Sequence, residues 1–162
     1  MTEDTELETD RGESTEKPDE SAASAARIGV CYFPEHWPRE RWETDVQQMV
    51  EAGIDVVRMA EFSWGRLEPE RGEFDFEWLD TAVSLLGDAG IDVVLCTPTA
   101  TPPKWLIDDH PEVLQTEPDG ATREFGSRRH YCFNSEVYRE ESARITRRMV
   151  EQYADVDADR KS

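Results

Sequence analysis

The stretch Glu51-Ala52-Gly53-Ile54-Asp55-Val56-Val57 decides the fold, because a near copy of it follows as Asp88-Ala89-Gly90-Ile91-Asp92-Val93-Val94. In each copy the glycine can take the left-handed conformation that ends a helix. The apolar residues that follow are typical of a short buried strand. A repeated helix-to-strand junction predicts a parallel sheet, because strands joined by helices run in the same direction.

The same pattern continues on both sides of the two junctions. Strands are predicted at 28–33, 54–60 and 91–96, each short and apolar enough to be buried in a parallel sheet. Helices with one apolar face are predicted at 38–53, 75–90 and 135–153, with a short helical piece near 105–109. The chain is therefore interpreted as an α/β protein of about three βα units.

Three βα units are too few to close a barrel. A closed (β/α)8 barrel takes ~250 residues and seldom fewer than ~200, whereas this chain has 162. We therefore expect a partial (β/α)8 TIM barrel at 27–155, with an unpaired edge on its third strand. Disordered ends are expected at 1–26 and 156–162, and the whole is expected to be a fragment, the front part of a larger domain.

The charge balance disfavours several classes of partner. There are 37 acidic and 18 basic side chains, and the formal net charge of -19 argues against nucleic acid and against anionic membranes. Nine acidic and two basic residues lie in 1–26, whose only large aliphatic residue besides Met1 is Leu7, so this tail is predicted to be disordered. Three of the basic residues are lysines, and this bias, with the acid excess, indicates a halophilic protein.

No membrane or secretion signal is recognisable in the sequence. No stretch approaches the ~20 consecutive apolar residues of a membrane helix, and the first residues lack the features of a signal peptide. We therefore expect a cytoplasmic protein. The three cysteines, Cys31, Cys96 and Cys132, have no close pairing, so a disulfide framework is not expected.

Each predicted strand ends in a polar cluster that contains a tryptophan. The first two clusters are Pro34-Glu35-His36-Trp37 and Glu61-Phe62-Ser63-Trp64. Barrel enzymes carry their chemistry at strand exits, so Glu35 and Glu61 are candidates for the two carboxylates of a glycosidase, with Trp37 and Trp64 as flat faces for sugar rings. The alternative remains open that the glutamates hold arginines or loop amides and that the tryptophans pack on helices.

A further candidate segment runs from Phe125 to Asn134 and is rich in hydrogen-bond donors. One of its arginines could hold a sugar hydroxyl or a carboxylate through its planar fork. A surface loop without function is the alternative. Cys132 is only a weak metal signal, because a structural zinc needs four ligands.

Four segments resemble the N-terminal quarter of the family 42 glycoside hydrolases, the microbial β-galactosidases. The similarity covers about Arg27 to Tyr153. The segments are Tyr32-Phe33-Pro34-Glu35-His36-Trp37, Arg58-Met59-Ala60-Glu61-Phe62-Ser63-Trp64-Gly65-Arg66-Leu67-Glu68-Pro69, Thr97-Pro98-Thr99-Ala100-Thr101-Pro102-Pro103 and Gly126-Ser127-Arg128-Arg129-His130-Tyr131-Cys132.

The resemblance implies a retaining β-galactosidase that removes terminal β-linked galactose through a galactosyl-enzyme ester. In that family the acid/base glutamate follows strand four and the nucleophile follows strand seven, so both are expected beyond Ser162. No catalytic residue is then expected in this chain. Glu35 and Glu61 would instead shape and charge the galactose pocket, which replaces their interpretation as the catalytic pair.

The resemblance carries two further residues over. Arg128 corresponds to the family's substrate-binding arginine, and Cys132 to the first of four cysteines that bind a structural zinc in many members. The other three cysteines come from a later loop that this chain lacks, so zinc is expected only with them, and no cofactor is expected for catalysis.

The resemblance also implies partners. These are a galactoside substrate and, for a full-length protein only, a homotrimer. The remaining strands are expected from a complementing C-terminal chain or from an unbroken gene. Two other hypotheses stay open, a non-catalytic galactoside-binding protein and a truncated relic without a stable fold.

Overall fold

A computed structural model describes residues 26–154. Three strands, β1 (Gly29–Cys31), β2 (Val56–Met59) and β3 (Asp92–Leu95), form one parallel sheet in the order β1-β2-β3. The α/β architecture with a small parallel sheet is thus confirmed. The helices are α1 (Trp42–Glu51), α2 (Trp64–Leu67), α3 (Glu77–Asp88), α4 (Lys104–Asp109) and α5 (Glu136–Tyr153). The ends predicted to be disordered, except for Ala26 itself, lie outside the described residues.

The repeated junction forms as predicted. Gly53 and Gly90 have φ angles of 73° and 78°, the left-handed conformation that an L side chain rarely adopts. An aspartate two residues after each glycine binds the segment that leads into β1. The Asp55 carboxylate accepts a hydrogen bond from the backbone N–H of Ile28 at 2.9 Å, and the Asp92 carboxylate pairs with Arg27 at 2.6 Å.

Two helix starts differ from the prediction. A 3₁₀ turn at Arg39–Arg41 precedes α1, which begins at Trp42 and not next to Pro38. Phe76, not Asp75, is the N-cap of α3, although the Asp75 carboxylate still accepts a hydrogen bond from the N–H of Glu77. The predicted start of α5 is confirmed, because the Ser135 side chain accepts from the N–H of Tyr138.

The helices cover only one face of the sheet among the described residues. On that face Val57 and Met59 are completely buried. On the other face Cys31 and Arg58 are exposed, and Val94 is 49% exposed. The predicted burial of the first strand is therefore wrong, since all three residues of β1 are exposed at an edge with one open face.

Two apolar clusters hold the fold together. The larger lies between the sheet and helices α1, α3 and α5, and includes Trp42, Leu79, Leu86 and Met149. Val50 of α1 is 49% exposed and does not belong to it. The smaller cluster packs α2, α4 and α5 beneath the exits of β2 and β3.

No helix in the described part of the chain combines the length and the apolar character needed to cross a membrane. The three cysteines are free.

Candidate substrate-binding site

The carboxyl ends of β2 and β3 open onto a cleft of about 800 Å³. Three segments line it: the exit of β2, the turn after β3 and the loop before α5. They contribute Glu61, Phe62, Thr101, Arg128, Tyr131 and Phe133, among others. Because the strands are parallel, segments far apart in sequence meet at the same edge of the sheet. The structure thus brings together two of the residues singled out in the sequence, Glu61 and Arg128.

Glu61 is held at the floor of this cleft by Arg58. The Glu61 carboxylate and the Arg58 guanidinium are 2.6 Å apart, and both side chains are partly exposed. Arg58 also donates to the Cys96 thiol at 2.9 Å. The hydrogen bond to Cys96, followed by that to Glu61, raises the pKa of Arg58 above its ordinary value. Glu61 therefore lies beside a permanent positive charge that fixes its orientation.

Two unusual backbone conformations flank the two candidate residues. Ala60 has φ 70° directly before Glu61, and Arg129 has φ 58° directly after Arg128. An L residue other than glycine in the left-handed region costs about 1–2 kcal/mol. Such costs often occur at functional sites, where the surrounding structure imposes the conformation.

The loop that presents Arg128 is supported from below by His130. His130 is only 1% exposed, and its Nδ1 donates to the carbonyl of Ser127 at 2.8 Å. Its ring packs edge-on against the rings of Phe125 and Tyr131. Arg123 adds two hydrogen bonds to the backbone carbonyls of Arg128 and Arg129. The turn that carries the exposed Arg128 side chain is thus held by several hydrogen bonds to its backbone carbonyls.

Glu35 does not line the cleft. One of its carboxylate oxygens accepts a hydrogen bond from the Ser63 hydroxyl at 2.5 Å. The other oxygen is buried and has no partner among the described residues. Glu35 therefore links the exit of β1 to the exit of β2, which agrees better with the alternative that it holds a loop than with a catalytic pair.

The prediction that Trp64 is a sugar platform is wrong. Its side chain is fully buried in the smaller apolar cluster, so no ring face is free for a ligand. Its indole N–H donates to the Glu68 carboxylate at 3.0 Å, and its ring packs edge-on against Trp105. Trp37 remains half exposed, with the Arg41 guanidinium 4.1 Å from its ring centre.

A buried charge cluster beneath the site was not predicted. Glu68 is completely buried and accepts hydrogen bonds from Trp64, from the N–H of Gly72 and from Arg144 of α5. Arg144 also pairs with Glu141, which pairs with Arg71. This cluster joins the loop after β2 to α5.

Cys132 lies beside a neighbouring pocket that also includes Glu112. Within 26–154 there is no group of three or more histidine, cysteine, aspartate or glutamate residues that could hold a metal ion. The donors around Cys132 therefore do not fit a closed tetrahedral zinc site, which needs four.

Sequence reasoning did not single out Arg58, which holds Glu61, or several residues that line the cleft. Arg58 could have been noticed, because it precedes Glu61 by three residues in a strand that is otherwise apolar. Phe62, Thr101 and Phe133 carry no such signal. Their place in the cleft depends on how three loops fold over one another.

Comparison with known proteins shows which family this chain resembles along most of its length. The family model of glycoside hydrolase family 42, described as beta-galactosidase, matches residues 31–158. A beta-galactosidase of Halorubrum lacusprofundi is 69% identical over 129 residues, which are 80% of this chain and 18% of that protein. A beta-galactosidase of Thermus thermophilus is 54% identical over 131 residues, or 81% of this chain and 20% of that protein.

The solved structure of the Halorubrum lacusprofundi beta-galactosidase superimposes with a TM-score of 0.77 at 68% identity. The superposition covers 80% of this chain and 20% of that one. The chain thus spans about a fifth of the length of the relatives it matches.

Proposed function

The chain belongs to glycoside hydrolase family 42, and from this membership we propose that it supplies part of the galactose pocket of a β-galactosidase. The substrate is a β-galactoside, from which the assembled enzyme removes the terminal galactose with retention of configuration. The proposal rests on one observation. Glu61 and Arg128, which belong to different loops, line the same cleft at the carboxyl ends of the strands.

The chemistry of these two residues suits a sugar. The Arg128 guanidinium has no ion pair among the described residues, so its donors are free for ring hydroxyls. Glu61, neutralised by Arg58, accepts hydrogen bonds from hydroxyl groups. Phe62 and Phe133, both exposed, provide apolar surface for the ring carbons.

The acid/base and nucleophile glutamates belong to the part of the enzyme that this chain does not match, since it covers about a fifth of its relatives. Within this chain Glu61 is engaged by Arg58, and Glu35 is bonded to Ser63 outside the cleft. A retaining pair needs two carboxyl groups ~5–5.5 Å apart on either side of the scissile bond, and only one of these two glutamates lines the cleft. We therefore expect these 162 residues to be inactive by themselves, and the family's structural zinc to form only with cysteines from the rest of the enzyme.

The assembled enzyme works in concentrated salt in the cytoplasm. Activity in concentrated salt is supported by the net charge of -19 and by the 68% sequence identity with the enzyme of a haloarchaeon. The absence of a membrane-spanning helix in 26–154 is compatible with the second. A homotrimer is expected for the assembled protein only.

Complementation tests the proposal. The chain is mixed in 2 M KCl with a polypeptide that comprises the Halorubrum lacusprofundi β-galactosidase after its matching region, and hydrolysis of o-nitrophenyl β-galactoside is followed. We expect neither polypeptide alone to be active and the mixture to be active. Activity of the isolated chain that is lost in Glu61→Gln would contradict the proposal.

Arg128→Ala in the active mixture tests the pocket. Loss of a charged hydrogen bond to a ligand costs about 1.5–3 kcal/mol, which corresponds to an increase in KM of roughly ten- to a hundredfold. Arg147→Ala is the matched control, because Arg147 is an exposed arginine of α5 outside the cleft. Equal kinetics for both variants would exclude Arg128 from substrate binding.

A further inference from the structure

The turn at 124–129 carries Arg128 and has few backbone bonds of its own. The segment 114–116 pairs in antiparallel fashion with the residues just before the turn and with those just after it. Of the backbone–backbone hydrogen bonds in the described part of the chain, one lies wholly within the turn, from the N–H of Ser127 to the carbonyl of Glu124 at 3.2 Å. The shape of the turn therefore depends on side chains that bind to its backbone.

Arg123 joins the beginning of this turn to its end. Its Nη1 donates hydrogen bonds to the carbonyl groups of Arg128 and Arg129, both at 3.1 Å. Its Nε donates to the Glu117 carboxylate, with which it forms an ion pair. Its backbone N–H donates to the carbonyl of Gln115 at 2.9 Å. A planar guanidinium suits this arrangement, because its donors point in fixed directions from one rigid group.

The two carbonyls that Arg123 binds lie on either side of Arg129. The carbonyl of Arg128 belongs to the peptide group before Arg129, and the carbonyl of Arg129 belongs to the peptide group after it. A donor that holds both carbonyls restricts φ and ψ of Arg129, because these angles rotate one peptide group relative to the other. Arg129 has φ 58°, which an L residue other than glycine rarely adopts. Without Arg123, relaxation to a more common conformation would redirect the adjacent Arg128 side chain.

Arg123 is not among the residues that line the cleft. It borders the neighbouring pocket, and its side chain is 31% exposed. Its Nη1 and Nε already donate to oxygens of the protein. Any effect of Arg123 on a ligand in the cleft must therefore pass through the turn that it holds.

We propose that Arg123 is a positioning residue that aims Arg128 into the substrate cleft by fixing the left-handed conformation of Arg129. This inference rests on the proposed function, because Arg128 must bind the galactoside for its direction to matter. The affinity of the pocket then depends on a residue that does not touch the substrate. A turn that keeps the binding geometry for only ~10–30% of the time weakens binding about three- to tenfold, the reciprocal of that fraction.

The kinetic test is a double-mutant cycle in the mixture of the full chain with the Halorubrum lacusprofundi polypeptide. Arg123→Ala alone should raise KM for o-nitrophenyl β-galactoside about three- to tenfold and change kcat by less than about twofold. In a chain that already carries Arg128→Ala, the same substitution should leave KM within about twofold, because a residue that acts through Arg128 has nothing left to position.

Arg27→Ala is the matched control. Arg27 also pairs with a carboxylate, that of Asp92, and also donates to a backbone carbonyl, that of Asp55 at 3.0 Å. It precedes β1 and does not line the cleft at the carboxyl ends of the strands. Its substitution should leave KM unchanged. If Arg123 were needed only for folding, its substitution would lower the amount of active enzyme, and hence the apparent kcat, whether or not Arg128 is present.

A second measurement follows the turn directly and needs neither a galactoside nor a second polypeptide. Trypsin cleaves after arginine and cuts a folded turn only when the turn opens, so the rate of cleavage follows the open fraction. In the full chain alone, cleavage after Arg128 and Arg129, located by mass spectrometry, should be at least about threefold faster in Arg123→Ala. Arg27→Ala should be cleaved there at the rate of the unaltered chain.

Arg123→Lys replaces Arg123→Ala in both measurements if circular dichroism shows that the alanine variant does not fold. It keeps a positive charge beside Glu117 but lacks the planar fork, so KM and the cleavage rate should both rise.

Three results would overturn the inference. These are equal cleavage rates at the turn with and without Arg123, an unchanged KM after substitution of Arg123, and a rise in KM that is the same with and without Arg128. If Arg128→Ala itself leaves KM unchanged, the proposed function fails and the inference fails with it. If no mixture is active, complementation has failed, and the cleavage rates decide: faster cleavage supports the inference and equal rates overturn it.

Discussion

Glu141 joins α5 to the loop after β2 through two arginines, and its state of ionisation affects the stability of the fold. Burial alone would raise its pKa, but the hydrogen bonds from Arg71 and Arg144 outweigh burial, so the pKa lies below the ordinary value of 4.5. A carboxyl group with a lower pKa in the folded state stabilises that state above its unfolded pKa. The stabilisation is lost as the pH falls through the folded pKa.

We therefore expect Glu141→Gln to lower the free energy of unfolding at pH 7 by about 1.5–3 kcal/mol, the range for hydrogen bonds to charged groups. The difference from the unaltered chain should shrink as the pH falls from about 4.5, the ordinary pKa, through the lower pKa of the folded state, where Glu141 itself becomes protonated. Urea unfolding at pH 7 and at acidic pH measures both quantities. Glu140→Gln, at an exposed neighbour without an ion pair, should change little, and a pH-independent difference for Glu141→Gln would contradict the expectation.

The residues of the site were predictable where their chemistry is local. Glu61 directly follows a predicted strand, and Arg128 lies in the polar segment from Phe125 to Asn134. Both residues line the cleft. Trp64 has the same local signal but is completely buried. Its burial depends on residues distant in sequence, such as Trp105 of α4, which packs edge-on against its ring.

Among the single elements, α5 allows a test of how much its N-cap residue contributes to stability. The Ser135 hydroxyl accepts a hydrogen bond from the N–H of Tyr138 at 3.3 Å, which satisfies one of the free amides of the first turn. We expect Ser135→Ala to destabilise the fold by about 0.5–2 kcal/mol, as measured by urea unfolding.

The matched control replaces a serine inside a helix. Ser84 is exposed in α3, where alanine is the better helix former, so Ser84→Ala should stabilise slightly or leave stability unchanged. If both variants shifted stability in the same direction, the hydrogen bond of Ser135 would not contribute as a cap.

The elements that were predicted well are those whose ends are set by local chemistry. Gly53 and Gly90 stop their helices because each adopts a positive φ angle, and Ser135 starts α5. The short helix α2 was missed, because its four residues lie inside a polar motif and their pattern shows no helical period. The exposure of β1 was also missed, since the burial of a strand depends on what covers it and not on its own residues.

For the molecule as a whole, the charge distribution is the dominant feature outside the core. A formal net charge of -19 on 162 residues produces repulsion that grows as the chain becomes compact. The Debye length falls from ~10 Å at 0.1 M salt to ~3 Å at 1 M, so concentrated salt suppresses this repulsion. Two-thirds of the charged side chains are acidic. Within 26–154 most carboxylates form no ion pair, so screening should act on much of that surface.

We therefore expect the Tm of the chain, followed by circular dichroism, to rise between 0.1 M and 2 M KCl. A gain of 1 kcal/mol would correspond to an increase of about 2–8 °C for domains of this size. A variant with Glu43→Gln, Asp88→Asn and Glu140→Gln removes three exposed carboxylates that have no ion pair. It should melt higher than the unaltered chain at 0.1 M KCl and gain less on going to 2 M, because it has less repulsion to screen. Equal gains for the two proteins would mean that salt acts through burial of apolar surface and not through charge.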